Sequence, residues 1–300
     1  MSLLSDTQGR PEPVRSLLRL LDALGGRATR DEVDTWMMPA SFRKHGERSL
    51  SQVSQTVGCA RSLGLVEDDG DALVLSVDPA PNGMEAFLDL VHARLCDPQN
   101  EADDVLFRAY ACVVLETERT GNTDWLAQSS AAIATSINRI LAHGESGAQR
   151  VFNNTKAPAW RAWMVALGLA IEGGNTLPYL FPQPAQRLIR ELPAIADAHG
   201  RGVEIPAATF MAEMGRRMPY LDGGQVYARV AAQFAEVHSW RLRAGWVTTV
   251  VSEALRDLHD EGTIELVARA DAADALSLHR EIGSSLRSFV GVIVRDEADQ

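Results

Sequence analysis

SLSQVSQTVGCARSLGLVEDDGDALVL, residues 49–75, is the stretch on which the fold turns. Ser49 opens a helix whose apolar stripe is Leu50, Val53, Val57 and Ala60, a spacing that puts all four side chains on one face. Gly64 closes it, since glycine adopts the left-handed backbone of a helix end without steric cost. Leu65-Val66 leads into the turn Glu67-Asp68-Asp69-Gly70-Asp71, and Leu73, Val74 and Leu75 read as the return strand.

Upstream, Val14, Leu17, Leu18, Leu21 and Leu24 recur at helical spacing until Gly25-Gly26 ends that helix. Thr29 with Glu32 three residues later has the form of a capping box, and the helix it starts carries Val33, Trp36 and Met37 before Pro39 stops it. Three short helices, the third running straight into a hairpin, give the layout of a winged helix-turn-helix over residues 13–78. Residues 1–12 read as a frayed polar arm.

Pro79 and Pro81 make a linker. From there the pattern predicts an all-helical domain over residues 84–200, with helices at 84–96, 101–118, 123–143 and 159–171. The proline-rich stretch 177–193 reads as loops and short helices, and nothing alternates long enough for a sheet. The last domain, residues 206–295, is expected to be helical and winged-helix-like. Val247, Val250, Val251, Ala254, Leu255 and Leu258 fill one arc of a helix stopped by Gly262, residues 263–269 alternate as a strand, residues 275–278 are placed to return, and residues 280–294 read as a final helix. The fold class is mainly α.

With 300 residues the chain has room for two or three cores. No apolar run approaches the roughly 20 residues that span a bilayer, and the start lacks the pattern of a secretory signal. Cys59, Cys96 and Cys112 are few, odd in number and widely spaced, as suits a reducing compartment. The expected location is cytoplasmic, without membrane contact. A net charge of −11 argues against non-specific coating of DNA, which is driven by phosphate neutralisation.

The chain has only two lysines, Lys44 and Lys156. Neither follows a glycine, so no phosphate-binding P-loop exists, and neither has an acidic residue two positions before it as in the common restriction-type nuclease core. No histidine pair or Cys-x-x-Cys has zinc spacing. Carboxylate pairs such as Asp103-Asp104 and Glu116-Glu118 read as helix-surface charges. The chain is therefore expected to be no enzyme and to hold no catalytic residue, metal or cofactor. In the helical body, Trp125, Trp160, Trp163 and Met164 are expected to be core, with any left outside serving as interface anchors.

A winged helix reads DNA by laying its third helix in the major groove while the wing touches phosphate. Opposite the apolar stripe, the third helix shows Ser51, Gln52, Gln55, Cys59 and Ser62, polar groups of which glutamine can pair with adenine. Arg43, Lys44 and Arg48 lie just before it, placed to hold phosphate. The candidate DNA-binding residues are Arg43, Lys44, Arg48, Ser51, Gln52 and Gln55. Against this, Glu67, Asp68, Asp69 and Asp71 sit at the wing tip, and a carboxylate at about 7 Å from a phosphate costs roughly 0.6 kcal/mol even in water. Contact with duplex DNA and contact with protein both remain open. The helix near residue 250 shows Thr249, Ser252, Glu253, Arg256, His259 and Asp260, mixed charges that read as a solvated surface. Trp240, Arg241, Arg243 and Trp246 interleave aromatic and basic groups, which most simply reads as a partly buried helix with snorkelling arginines.

GRATRDEVDTWMMP (residues 26–39), the residue 49–71 stretch and the segments MAEMGRRMPYLDGG (211–224) and LRDLHDEGTIEL (255–266) resemble the DpdG family. That family belongs to the bacterial gene cluster that installs 7-deazaguanine bases in DNA and restricts DNA lacking them. The resemblance implies a non-enzymatic accessory role in anti-phage defence, with the other proteins of the cluster as partners and duplex DNA as a further one if the third helix reads it. It transfers no site residue. A winged-helix transcriptional regulator is the alternative.

Overall fold

Pro11, with no N–H to lose, begins helix α1 (Pro11–Ala23), which buries Val14, Leu17, Leu18 and Leu21 on one stripe. Leu24 falls outside that stripe as the C-cap and is exposed. Strand β1 (Arg27–Thr29) follows, and Thr29 then caps α2 (Arg30–Met37): its hydroxyl accepts from the Glu32 N–H, and the Glu32 carboxylate accepts from the Thr29 N–H. The helix α3 (Ser51–Ser62) ends at Gly64, whose φ of 63° lets the Leu65 N–H reach back to the Ala60 carbonyl and its own N–H to Arg61. Strands β2 (Val66–Asp69) and β3 (Ala72–Leu75) form the hairpin, and β1 adds to the far side of β3, giving the antiparallel order β1-β3-β2.

Helices α4 (Gly83–Cys96), α5 (Asp104–Thr120), α6 (Ser130–Leu141) and α7 (Ala157–Ala166) come next, then a hairpin of β4 (Ala170–Gly173) and β5 (Tyr179–Pro182). The remainder is α8 (Ala185–His199), β6 (Glu204–Pro206), α9 (Ala207–Arg217), α10 (Gln225–His238), α11 (Thr249–Asp260), β7 (Ile264–Val267), β8 (Leu276–Ser277), β9 (Ser288–Phe289) and β10 (Gly291–Val294). The structure, a computed structural model, describes residues 3–4, 9–42, 51–100, 103–143, 151–173, 179–270, 272–279 and 285–295. Among these the protein is mostly helical, with eleven α-helices and small antiparallel sheets. No helix among them is long and apolar enough to cross a membrane.

The order of the N-terminal elements recurs near the C-terminus. α8, β6, α9, α11, β7 and β10 match α1, β1, α2, α3, β2 and β3, and their sheet has the corresponding antiparallel order β6-β10-β7. Leu75 pairs with Val66 as Val294 pairs with Ile264. Gly262, φ 76°, ends α11 with the same two backbone bonds that Gly64 makes after α3. Two insertions distinguish the second copy: α10 before its third helix, and the β8–β9 ribbon between its last two strands.

Several sequence expectations need correction. Helix α7 stops at Ala166, and the β4–β5 pair, only four residues on each strand, was too short to register as alternation. Much of the stretch expected as loops and short helices belongs to α8, one fifteen-residue helix with Pro193 inside it. Burial of Leu188, Leu192, Ile195 and Ala196 along one stripe outweighs the backbone bond that proline removes. The last described residues form β9 and β10 instead of a helix, because Gly291–Val294 takes the central place between β6 and β7, where Gly291, Val292 and Val294 are buried. Residues 276–277 pair with β9 and do not return against β7. In the N-terminal arm, Leu3 and Leu4 are buried, and the Leu3 N–H donates to Asp103 Oδ1 at 2.5 Å.

The chain divides into two compact units, Met1–Leu106 with Asn154–Leu167, and Phe107–Asn153 with Gly168–Gln300. The first buries Trp160, Trp163 and Met164, the indole of Trp163 donating to the Gly9 carbonyl at 2.7 Å and that of Trp160 to Leu106 at 3.0 Å. The second centres on Phe107 stacked on Tyr220 at 4.1 Å and Tyr110 set edge-on to it at 5.5 Å, with the Tyr110 hydroxyl donating to the Leu169 carbonyl.

Candidate nucleic-acid interface

The face of α3 is set by its apolar stripe. Val53, Val57 and Ala60 are buried, which turns Ser51, Gln52 and Ser54 outward and leaves Gln55 half-buried. The Gln55 Oε1 is shielded from solvent and has no hydrogen-bond partner among the described residues. Cys59, expected on this polar face, is 3 % exposed and belongs to the core, and Ser62 is half-buried with its hydroxyl donating to the Cys59 carbonyl. The available polar surface is thus the first half of the helix. Arg43, Lys44, Arg48 and Leu50 lie outside the described residues.

The hairpin tip does not stand as bare negative charge. Arg27 on β1 pairs with Asp69, Arg30 at the start of α2 reaches Asp68 at 2.6 Å, and Arg61 in the last turn of α3 reaches the same carboxylate at 2.8 Å. The Asp69 carboxylate raises the Arg27 guanidinium above its ordinary value, chiefly through their hydrogen bond. All these groups are at least a third exposed, so the pairs contribute little to stability. Their effect is on the field: three guanidiniums are laid over two of the four acids. β1 escaped the sequence reading because three residues carry no periodicity, and with it went the placement of Arg27 beside the hairpin.

Of the apolar residues that α2 carries, Val33 takes the core position and Trp36 is 64 % exposed. The tryptophans expected in the core divide otherwise: Trp160 and Trp163 are buried, and Trp125 is half-buried with its indole donating to Thr117 Oγ1 at 3.4 Å.

The matching helix of the second copy has a different environment. Ser252 and Arg256, expected on a solvated face, are buried. The Thr249 N–H and hydroxyl both donate to Glu118 Oε2 at 2.7 Å, and the Glu118 Oε1 lies 2.7 Å from His279 Nε2. One residue earlier, the Thr248 N–H and hydroxyl donate to the two oxygens of Asp222, at 2.8 and 2.6 Å. Two carboxylates from elsewhere in the unit therefore satisfy two of the orphan donors at the start of α11. Burial pushes the Asp222 carboxyl up to about 6, against the opposing pull of its bonds from Thr248. His279 also folds over the helix, its N–H donating to Ser252 Oγ at 3.2 Å and its carbonyl accepting from Arg256. Glu118, expected as a surface charge, has a side chain only 5 % exposed, and Asp103 is likewise buried.

The Trp240–Trp246 segment is not helical. Its tryptophans are half-buried, Trp240 edge-on to Phe234 and Trp246 edge-on to His279, and the Arg243 guanidinium lies 5.5 Å from the Trp246 ring centre. Among the described residues no group of three or more His, Cys, Asp or Glu side chains is placed to hold a metal ion.

No curated protein and no solved structure matches the chain. A family model described as DpdG-like matches residues 1–272, nearly all of its length. The buried stripes of α1 and α3, the capping box of α2 and the whole of α11 fall within that match, and on its extent the chain belongs to the DpdG-like family.

Proposed function

We propose that the chain is a non-enzymatic component of a bacterial DNA modification-restriction system directed against phage, working in the cytoplasm beside the other proteins of its cluster. Membership of the DpdG-like family supports the association with 7-deazaguanine modification of DNA. In this reading residues 13–78 are a winged helix, α3 is its reading helix, and the β2–β3 hairpin is its wing. The C-terminal copy is a second winged helix whose reading helix is sealed by its own unit.

The observation that carries the reading is the outward first half of α3. Ser51, Gln52 and Ser54 present small hydrogen-bonding groups with no exposed apolar residue among them, beside a hairpin two of whose four acids are tied to arginine. Such a surface can donate to and accept from base edges, and a glutamine can address adenine through both its amide atoms. The basic residues Arg43, Lys44 and Arg48 precede it in sequence and supply phosphate contacts in this proposal.

Salt titration of binding to duplex DNA tests it. Each phosphate contact adds about 0.9 to the slope of log affinity against log salt. Alanine at Arg43, Lys44 and Arg48 should lower that slope, whereas Gln52→Ala with Gln55→Ala should leave the slope and relax sequence preference by about tenfold. A chain that shifts no duplex under any salt condition refutes the DNA half of the proposal. Protection of paired half-sites about one helical turn apart, upstream of its own gene, would favour a transcriptional regulator instead.

A further inference from the structure

The segment that follows α10 interleaves Trp240, Arg241, Leu242 and Arg243 and has no regular structure. Between it and the Tyr227–Phe234 face of α10 lies a pocket of about 320 Å³, with Leu115 of α5 also in its lining. Phe234 and Trp240 meet edge-on there, their ring centres 5.7 Å apart. Among the described residues Arg241 is the one charged group that lines the pocket, and no carboxylate does. Arg241 and Arg243 are exposed and form no ion pair among the described residues, Arg243 lying over the Trp246 ring. Tyr227 adds a second unmet group. It is 9 % exposed, and its hydroxyl is shielded from solvent and has no hydrogen-bond partner among the described residues. Burial, with Asp222 and Glu118 in range, raises this phenol above the ordinary tyrosine value, so the hydroxyl keeps its proton. A buried donor without an acceptor carries a cost that a ligand can relieve.

We propose that this pocket takes one unpaired base of a single-stranded nucleic acid, with the flanking phosphates held by Arg241 and Arg243. The inference is independent of duplex contact through α3, which belongs to the other compact unit. A planar base gains by lying on an aromatic wall whatever its identity. The acceptors on its edge are uncharged, which suits Tyr227, because the field of Asp222 and Glu118 disfavours an anion beside it. The anion belongs at the rim, where a guanidinium matches phosphate geometry. The volume lies at the small end of ligand pockets, which run from about 300 to 1,000 Å³. A base inside a duplex has its edge paired and its faces stacked, so it cannot enter.

Fluorescence anisotropy with the full chain and a labelled oligothymidylate of about eight nucleotides tests the assignment. The strand should bind saturably, with a slope of log affinity against log salt of about 1.4, from about 0.7 for each of two phosphates. An abasic strand of the same length keeps every phosphate and should bind at least about fivefold more weakly, a comparison that needs no variant protein. Arg241→Gln and Arg243→Gln change exposed side chains and should each lower the slope by about 0.7. Tyr227→Phe removes only the unpartnered hydroxyl and should weaken the strand roughly threefold while leaving the slope unchanged. Gln52→Ala should leave strand affinity unchanged whether or not it alters duplex binding, which separates this proposal from the reading of α3. Absence of binding, equal affinity for the abasic strand, or indifference to the arginine variants or to Tyr227→Phe would each overturn it. So would equal affinity for thymidine monophosphate, or displacement of the strand by a duplex or by a peptide of glutamates around one phenylalanine.

Discussion

Helices α3 and α11 occupy the same place in two copies of one layout, have twelve residues each, and end on the same glycine motif. Their surroundings are opposite. The start of α3 shows serine and glutamine to the outside, whereas the start of α11 is clasped by two buried carboxylates and crossed by His279. A shared topology therefore fixes where a third helix lies and which stripe it buries, and it does not fix what the opposite face meets. That is settled by residues far away in sequence, here Glu118, Asp222 and His279.

The sharpest way to test this contrast is to remove the clasp. Glu118→Ala strips a carboxylate from the Thr249 N–H, the Thr249 hydroxyl and His279 in a part-buried site. The loss should be about 2 kcal/mol of unfolding free energy. Gln52→Ala, on the matching first turn of α3, removes only an exposed side chain and should change stability by less than about 0.5 kcal/mol. Urea unfolding of both variants measures the difference. Similar losses at the two sites would mean that α3 is as enclosed as α11.

A second effect belongs to the C-terminal copy alone. Burial holds the Asp222 carboxyl at about 6, above the 3.8 of an ordinary aspartate. Between those values the folded protein binds the proton more tightly than the unfolded chain. The contribution of Asp222 to stability therefore grows as pH falls through 6 toward 4, and is lost as pH rises through the same window. Asp222→Asn keeps a partner for both Thr248 groups and cannot titrate. The stability of the unsubstituted chain relative to this variant should rise on acidification from pH 7 to 4.5, by at most about 3 kcal/mol. A difference independent of pH would show that Asp222 is solvated.

These contrasts also show which features a sequence can carry. The stripe Val53, Val57, Ala60, the capping box at Thr29 and Glu32, and the helix-ending Gly64 were legible because each depends on residues within a few positions of one another. The strand after Gly262 was legible for the same reason. Its sheet partner was not, because Gly291–Val294 lies beyond an inserted ribbon and its valines also fit a helical reading. Burial of Ser252 and Arg256 was equally hidden, since His279, which bonds both, comes from the residues after β8. At the N-terminal site, Ser51, Gln52 and Gln55 could be placed from the helix period, while the arginines that tie the hairpin acids required knowing that β1 lies against β3.

The smallest expected effect on stability bears on those arginines. Asp68 holds both Arg30 and Arg61, and every partner in the group is partly exposed. Asp68→Asn should therefore change unfolding free energy by less than about 0.5 kcal/mol. If the hairpin approaches duplex DNA, the same substitution removes a repelling carboxylate and releases two guanidiniums toward phosphate. Affinity should rise, and the slope of log affinity against log salt should steepen by about 0.9 for each arginine that engages. An unchanged slope would place the hairpin away from the duplex, leaving α3 and the residues before it to make every contact. The β7–β10 side offers no corresponding response: there Arg269 grips Glu204 and Arg295 grips Glu265, so the sign of the arrangement on the edge strand is reversed, with the acid on β6 where β1 carries Arg27. Glu204→Gln would then free a cation beside a helix that is already sealed, and DNA affinity should not move.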